Sequence, residues 1–499
     1  MQKRKIVATN MVVTGMYQIL TVVFGLVIPR LFLDEYGASL HGLTSTVTNI
    51  LSYVTLLNAG LLTASVQALY KPLSLKNTED INSIISAVKK YYNKVGIYYV
   101  IVIVLAAFVL PFFVSNQVGP YIAFSVMIAM GLTSIFDSFL GATYRVLAQA
   151  DQKYWLISLC SIISLIVRSV MQIMLINFHK SVVLVQLMPA MMTILTYIIL
   201  KSYTKRKYPY LDTTSNPNFE ALGQRKAALL HQIAGVVVNN TDTVLLTIFQ
   251  NLTVVSIYSV YQLVFTHLYS LTVSVFSNST VASFGHHLVT ETKENIRSSF
   301  DRYEAMFYIF ITCILGTTAA MIAPFVSIYT SDVKGVQYLD SKLILMFMII
   351  SIMNTGRVPC GMLINAAGHY RQTQYRALAE AVINFFVSIF LVRKIGIYGV
   401  LLGTVISFVY RTFDIIIYSN KHILHRSPLL SIKRFVRTGI VIFFMYFISN
   451  IFEISEITNW FRWLRYGVIY FVVSVVLTGM VWSALERNVL KTIFGMIKR

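Results

Sequence analysis

Apolar runs recur along the whole chain, each about as long as the ~20 residues an α-helix needs to cross the hydrocarbon core of a bilayer. The windows fall at roughly 10–31, 41–66, 95–115, 120–144, 154–178, 181–202, 227–250, 254–283, 304–330, 340–365, 375–393, 396–418, 435–452 and 463–485. They predict an all-α polytopic membrane protein with about fourteen transmembrane helices. The polar segments between them are short. The longest, 203–226 (YTKRKYPYLDTTSNPNFEALGQRK), holds Pro209 and Pro217 and reads as a cytoplasmic linker and hinge between two halves.

The halves repeat. KNTEDINS (76–83) follows the second window and ETKENIRS (291–298) follows the eighth; a shift of 215 residues places Glu79 on Glu294, Ile81 on Ile296 and Ser83 on Ser298. The same shift places TASVQAL (63–69) on NSTVASF (278–284). This predicts two pseudo-symmetric six-helix lobes, 1–202 and 227–418, in parallel orientation. Residues 419–499 add two further helices and a basic cytoplasmic tail. The amphipathic stretches 74–92 and 285–303 are expected to lie at the cytoplasmic membrane surface.

Composition fits the pattern. A chain of 499 residues with 56% hydrophobic content, 12% charged residues and a mean hydropathy of +0.69 cannot cover its apolar surface as a soluble protein. The net charge of +21 belongs to topology and not to nucleic acid, because Lys and Arg gather on the cytoplasmic side of a membrane protein. With the N-terminus inside, most basic residues fall in the cytoplasmic segments, so both termini are expected there. MQKRK precedes a long apolar segment holding Pro29 and Arg30 with no short core and cleavage site, which reads as a retained first span. Cys160, Cys313 and Cys360 lie in apolar segments without metal-ligand spacing, and no metal or cofactor is expected. The sequons at Asn239, Asn251 and Asn278 lie in or beside spans and are read as chance.

Five ionisable residues stand deep in the predicted spans: Asp137, Arg168, His231, Asp242 and Arg357. A charge at mid-membrane costs about 3 kcal/mol on insertion scales, so such groups line water, pair, or bind a ligand. Two readings stand side by side. Either the charges form buried ion pairs, or they line a polar cavity in which Arg168 or Arg357 meets an anion, since the guanidinium fork matches phosphate oxygens. Asp242 would then bind a coupling cation, hold Arg168 or orient a sugar. His231 is either a proton carrier or a cavity-lining group. Gln18, Asn239 and Asn240 either donate to sugar hydroxyls or bond neighbouring helices.

The stretch NAAGHYRQTQYRALAEAVINFFVSIFLVRKIGIYGVLLGTVISFVYR (365–411) resembles the second-half signature of polysaccharide and oligosaccharide-lipid flippases in the multidrug/oligosaccharidyl-lipid/polysaccharide (MOP) exporter superfamily. The residues that carry the likeness are Ala366-Ala367-Gly368, Glu380 and Asn384, then Gly396, Gly399, Gly403 and Thr404. PRLFLDEYGASLHGL (29–43) and LLNAGLLTASVQALYKPL (56–73) are similar to the turn after the family's first span and to its second span, and Asp242 followed by Ile257-Tyr258-Ser259 also fits. The resemblance implies a flippase of the bacterial cell membrane, moving polyprenyl-pyrophosphate-linked capsule, exopolysaccharide or O-unit repeats to the outer leaflet by alternating access. It implies membrane lipids, glycosyltransferases and a polysaccharide polymerase as partners. Flippases of lipid-linked peptidoglycan carry several arginines in the first, second and eighth spans, where this chain has only Arg30; a teichoic-acid precursor is a further alternative. Multidrug antiporters of the same fold usually carry an acidic residue in the first span, and none stands here before Asp34. A membrane enzyme would need acidic groups in sizeable outer loops, and Asp34 and Glu35 sit in a short turn, so no catalytic residue is expected.

Overall fold

The computed structural model describes residues 2–222, 226–276, 280–451 and 457–487, and among these the chain is helical with no strand. Asn278 and the basic tail from 488 lie outside the described residues. The first predicted span and most of the second form α1 (Gln2–Val54), broken at Gly37, whose φ of 79° glycine adopts without strain. The second span unwinds into a 3₁₀ turn at Thr55–Asn58 and a left-handed Gly60 before α2 (Leu61–Leu75). Then come α3 (Thr78–Val114), α4 (Pro120–Phe136), a π turn at Asp137–Gly141, α5 (Ala142–Ala150), α6 (Tyr154–Asn177), α7 (Val182–Lys207), α8 (Lys226–Phe249) and α9 (Leu252–Phe276). The remainder is α10 (Val281–Thr290), α11 (Lys293–Tyr329), α12 (Ser341–Gly356), α13 (Val358–Ala366), α14 (Tyr370–Ile395), α15 (Ile397–His422), α16 (Leu429–Ile451) and α17 (Trp460–Leu485). All fourteen predicted windows fall mainly on helix. Among the described residues ten helical stretches are long and apolar enough to cross a membrane, one of them, Val13–Leu75, holding the first two windows. Phe112, Phe386 and Phe461 stand exposed, as on helices whose outer solvent is lipid.

The repeat is carried by whole helices. α3 and α11 each run 37 residues and start 215 apart, behind the N-caps Asn77 and Thr292. α5 and α13 are both nine residues long and start 216 apart; α7 and α15 are both 26 long and start 215 apart. Residues 78–92 and 293–303, expected as separate surface helices, are instead the first turns of α3 and α11. A 37-residue helix is about 55 Å long and outruns the ~30 Å hydrocarbon core, so its amphipathic first turns project past the apolar layer without a break.

By their contacts the residues cluster as two compact units, Met1–Ser259 and Val260–Arg499. The division falls inside α9 and not in the 203–226 segment, because α8 and the first turns of α9 pack on α1. Gly42 lets the backbones meet: a Cβ there would lie 1.9 Å from the Leu252 carbonyl oxygen. Around it His41 Nδ1 and Ser256 Oγ are 2.8 Å apart, Thr46 and Thr247 hydroxyls 2.7 Å, and Tyr53 and Thr241 hydroxyls 2.7 Å. These polar pairs are buried or half-buried, and each satisfies groups that would be costly in hydrocarbon.

The 203–226 segment was expected to hinge; its described part is strapped down. Asn82 donates its amide to the Tyr210 carbonyl at 3.0 Å and accepts from the Asp212 N–H at 3.0 Å. Ser86 donates to the Ser215 carbonyl, Lys89 to Thr213, and the Asn218 N–H to the Ser83 carbonyl. Leu222 and Tyr208 bury their side chains in the cluster around Ile81, Ile84 and Val88. Thr214 donates twice to Asp212 and holds that carboxyl below its ordinary range. Replacing Asn82 by alanine removes both ends of one clamp, at about 1–1.5 kcal/mol. Hydrogen exchange across 208–218 is then expected to rise roughly tenfold, while exchange in the middle of α3 stays unchanged.

Candidate functional site

In the first unit, α1, the π turn, α5, α6 and α7 enclose a polar cavity of about 180 Å³. Asp137 opens the π turn. Eight residues on a regular α-helix would leave Arg145 about 80° round the axis from Asp137, and the wider π turn takes up that angle. The guanidinium therefore meets both carboxylate oxygens, Nη1 at 2.9 Å and Nη2 at 2.7 Å. Arg168 enters from α6 with Tyr17 of α1 nearby. Among the described residues Arg168 has no ion-pair partner, so the cavity's two arginines outnumber its one carboxylate, which Arg145 holds, and the cavity keeps a surplus positive charge. Ser161, Ser164, Thr193 and Thr196 complete the polar wall, and the Ser164 and Thr196 hydroxyls are 2.6 Å apart. α7 keeps its course through Pro189 because Gln172 of α6 donates to the Val185 carbonyl at 3.1 Å, replacing the N–H that proline lacks.

Charged and aromatic side chains occupy the corresponding positions of the second unit. Arg357 stands at the break between α12 and α13 and pairs with Glu380 of α14 at 2.5 Å, while its other nitrogen donates to Asn354 at 2.8 Å. Arg411 of α15 lies 3.4 Å from the second Glu380 oxygen and 2.7 Å from Asp414, which also holds Arg376. The Phe408 ring lies 4.5 Å under the Arg357 guanidinium. Glu380 and Asn384 thus acquire physical roles: one bridges two arginines, and the other donates to Thr404 at 3.0 Å between α14 and α15. Gly399 and Gly403 let those helices touch, since a Cβ would fall 2.4 Å from Leu391 backbone or 2.2 Å from Ser388 Oγ.

Of the residues singled out in the sequence, Arg168 and Asp137 meet in the first-unit cavity, with Tyr17 on its wall in place of Gln18. Arg357 belongs to an ion network with Glu380 and Asn354. Asp242 does not hold Arg168: it is 2% exposed and accepts from the Tyr258 hydroxyl at 3.0 Å. Asn239 and Asn240 turn their amide N–H groups onto the Gly235 and Val236 carbonyls of their own helix, at 2.7 and 2.8 Å. His231 is half-buried on α8, outside the cavity wall. Sequence reasoning passed over Arg145 and Arg411 by assigning them to cytoplasmic segments. Arg145 lies just past its apolar window and Arg411 within the last turns of its own, both inside their helices, and the helix length was the signal that would have placed them.

No protein-family model matches the chain, and no curated protein matches it by sequence. Solved structures do. The lipid II flippase MurJ in an inward closed conformation superposes with a TM-score of 0.65 at 15% identity, covering 95% of this chain and 99% of that one. An inward-facing multidrug resistance MATE transporter of the MOP superfamily gives 0.60 at 12% identity over 83% of this chain and 98% of its own. The MATE transporter VcmN of Vibrio cholerae, in its bent form, gives 0.53 at 13% identity over 88% of this chain and 99% of its own. The chain shares the fold of these solved transporters. At these identities the likeness shows the fold alone. The paired helix breaks at Asp137–Gly141 and Arg357 stand where interrupted membrane spans are tolerated, lining a cavity or buried against protein.

Proposed function

We propose that this protein is a flippase carrying polyprenyl-pyrophosphate-linked oligosaccharide repeat units from the cytoplasmic to the outer leaflet of a bacterial plasma membrane by alternating access. The observation that carries this reading is the surplus positive charge of the first-unit cavity, where Arg168 has no carboxylate partner among the described residues. An anionic headgroup meets that charge, whereas a cationic drug is repelled by it. Hydroxyls on the wall suit sugar, and a polyprenyl tail stays in lipid. The likeness to MurJ favours a second reading, a peptidoglycan or teichoic-acid precursor as cargo. In either case both termini lie in the cytoplasm, and glycosyltransferases and a polymerase supply and consume the cargo. The chain itself does no covalent chemistry and carries no cofactor.

The test is complementation of a capsulated bacterium deleted for its polysaccharide flippase, reading surface polysaccharide and trapped lipid-linked units. The wild-type chain is expected to restore capsule. Arg168→Ala is expected to lose at least about tenfold of it, the equivalent of one charge-assisted contact, at unchanged protein level. Arg357→Ala is expected to lower the protein level instead, because it leaves Glu380 short of a partner. Failure of the wild type across several repeat-unit chemistries, with rescue of a peptidoglycan-precursor flippase, would move the assignment to the second cargo.

A further inference from the structure

The two halves can be read against one another residue by residue. α5 and α6 start 216 residues before α13 and α14, and α7 starts 215 before α15. These offsets pair Gly141 with Arg357, Ser164 with Glu380, Thr193 with Phe408, Thr196 with Arg411, and Arg168 with Asn384. A contact supports the pairing independently: Ser164 and Thr196 touch at 2.6 Å, and their counterparts Glu380 and Arg411 pair at 3.4 Å. Four large side chains of the second unit are therefore glycine, serine and threonine in the first, and the space they release is the 180 Å³ cavity. That volume admits about ten water-sized spheres, enough for a carboxylate or phosphate with the atoms next to it.

The charges are rearranged in step. In the second unit two guanidinium groups close on the single carboxylate of Glu380. In the first, Arg168 supplies a cation from the position of Asn384 and Arg145 another from the opposite wall, but the position of Glu380 holds a neutral serine. Asp137 already engages Arg145 with both oxygens, which leaves Arg168 to an incoming group.

We propose that the first-unit cavity seats one compact oxyanion of the cargo against Arg168, with Glu380 of the second unit marking the place and chemistry of the group it accepts. This rests on the flippase reading for the identity of the cargo, whose oxyanion is either the pyrophosphate linker or the carboxylate of an acidic sugar. The side chain of Ser164 selects for it by leaving room, and the hydroxyls of Thr193 and Thr196 line its flank. Asp137, tied to Arg145, keeps the pocket from exceeding one surplus charge.

The experiment uses the purified full-length chain in detergent at 0.15 M salt, titrated calorimetrically with inorganic pyrophosphate, glucuronic acid and neutral glucose. Saturable binding of at least one oxyanion is expected, with glucose silent. Pyrophosphate alone assigns the seat to the linker, and glucuronate alone assigns it to an acidic sugar. Arg168→Gln is expected to weaken binding at least tenfold. Ser164→Glu places a resident carboxylate beside Arg168, and is expected to abolish binding while thermal unfolding is unchanged or raised. Wild-type affinity in both variants, or no oxyanion binding by the wild type, would overturn the proposal. Restored capsule in the complementation assay without probe binding would sink the oxyanion seat and leave the flippase reading standing; probe binding without restoration would do the reverse.

Discussion

Replacing Arg434 by methionine is expected to destabilise the second unit by about 3–5 kcal/mol, because it strands a buried carboxylate. Arg434 is 1% exposed and Glu304 is fully buried. The guanidinium reaches Glu304 at 2.8 Å and Glu486 at 2.6 Å, and lies 3.4 Å from Asp301. Arg426 adds contacts to Asp301 at 2.5 Å and Glu304 at 3.6 Å, and Arg437 one to Glu486 at 3.0 Å. Three arginines and three carboxylates thus balance. The network ties α11 to α16 and to the residue just past the end of α17, below the apolar packing of Met321, Met445 and Tyr470. At a few degrees per kcal/mol for a unit of this size, the thermal midpoint in detergent should fall by about 6–15 °C. Adding Glu304→Gln removes the stranded charge and should recover most of the loss. Arg437→Ala, at the half-covered rim, should cost less than half as much. If the single and double variants unfold at the same temperature, the cluster is not held by its charge balance.

This cluster shows where the sequence was readable and where it was not. Apolar runs locate the spans because lipid leaves no other signal of comparable strength, and all fourteen windows lie mainly on helix. The same runs conceal depth near their edges. Glu304 and Arg145 stand at or just past a window, Arg411 stands in the last third of one, and all three look like charges of the loop beside it. Their helices continue, α11 for 37 residues and α15 for 26, and carry those groups into protein. Capping would have helped: Thr292 accepts from Asn295 N–H and starts α11 eleven residues before Glu304 becomes buried. The repeat was legible at one loop, and its full register needed the helix starts. Arg168 and Asp137 were singled out because a lone charge deep in a span has few explanations, and both line one cavity. Asp242 was singled out for the same reason with three roles left open, and its contact with Tyr258 was not among them, since a tyrosine hydroxyl sixteen residues away on the next helix leaves no charge pattern to read.

Gly42→Val is expected to open the seam between α1 and the α8–α9 pair and, on the proposed flippase function, to cut transport about fivefold or more. The added Cβ would stand 1.9 Å from the Leu252 carbonyl oxygen and 2.7 Å from its carbon, and both are backbone atoms that no rotamer change can withdraw. Overpacking of this kind costs about 1–3 kcal/mol or more, which shifts a balanced two-state equilibrium by roughly 5- to 150-fold. The flanking hydroxyl pairs Thr46–Thr247 and Tyr53–Thr241 and the His41–Ser256 contact depend on that close approach, as does the Leu252 N–H donated to Gln117 at 2.6 Å. They lie on one stripe of α1, so they make and break together. If the proposed flippase function holds, a seam of paired neutral hydroxyls suits repeated opening, because each hydroxyl can exchange its partner for water at little net cost, unlike the balanced ion cluster around Arg434. Cysteines at Thr46 and Thr247, in a chain lacking the three native cysteines, report the contact by oxidative cross-linking. The yield should be high with Gly42 and should fall several-fold with valine, at equal protein in the membrane. Equal cross-linking with transport intact would show that these helices tolerate the side chain and that the seam is not a moving contact.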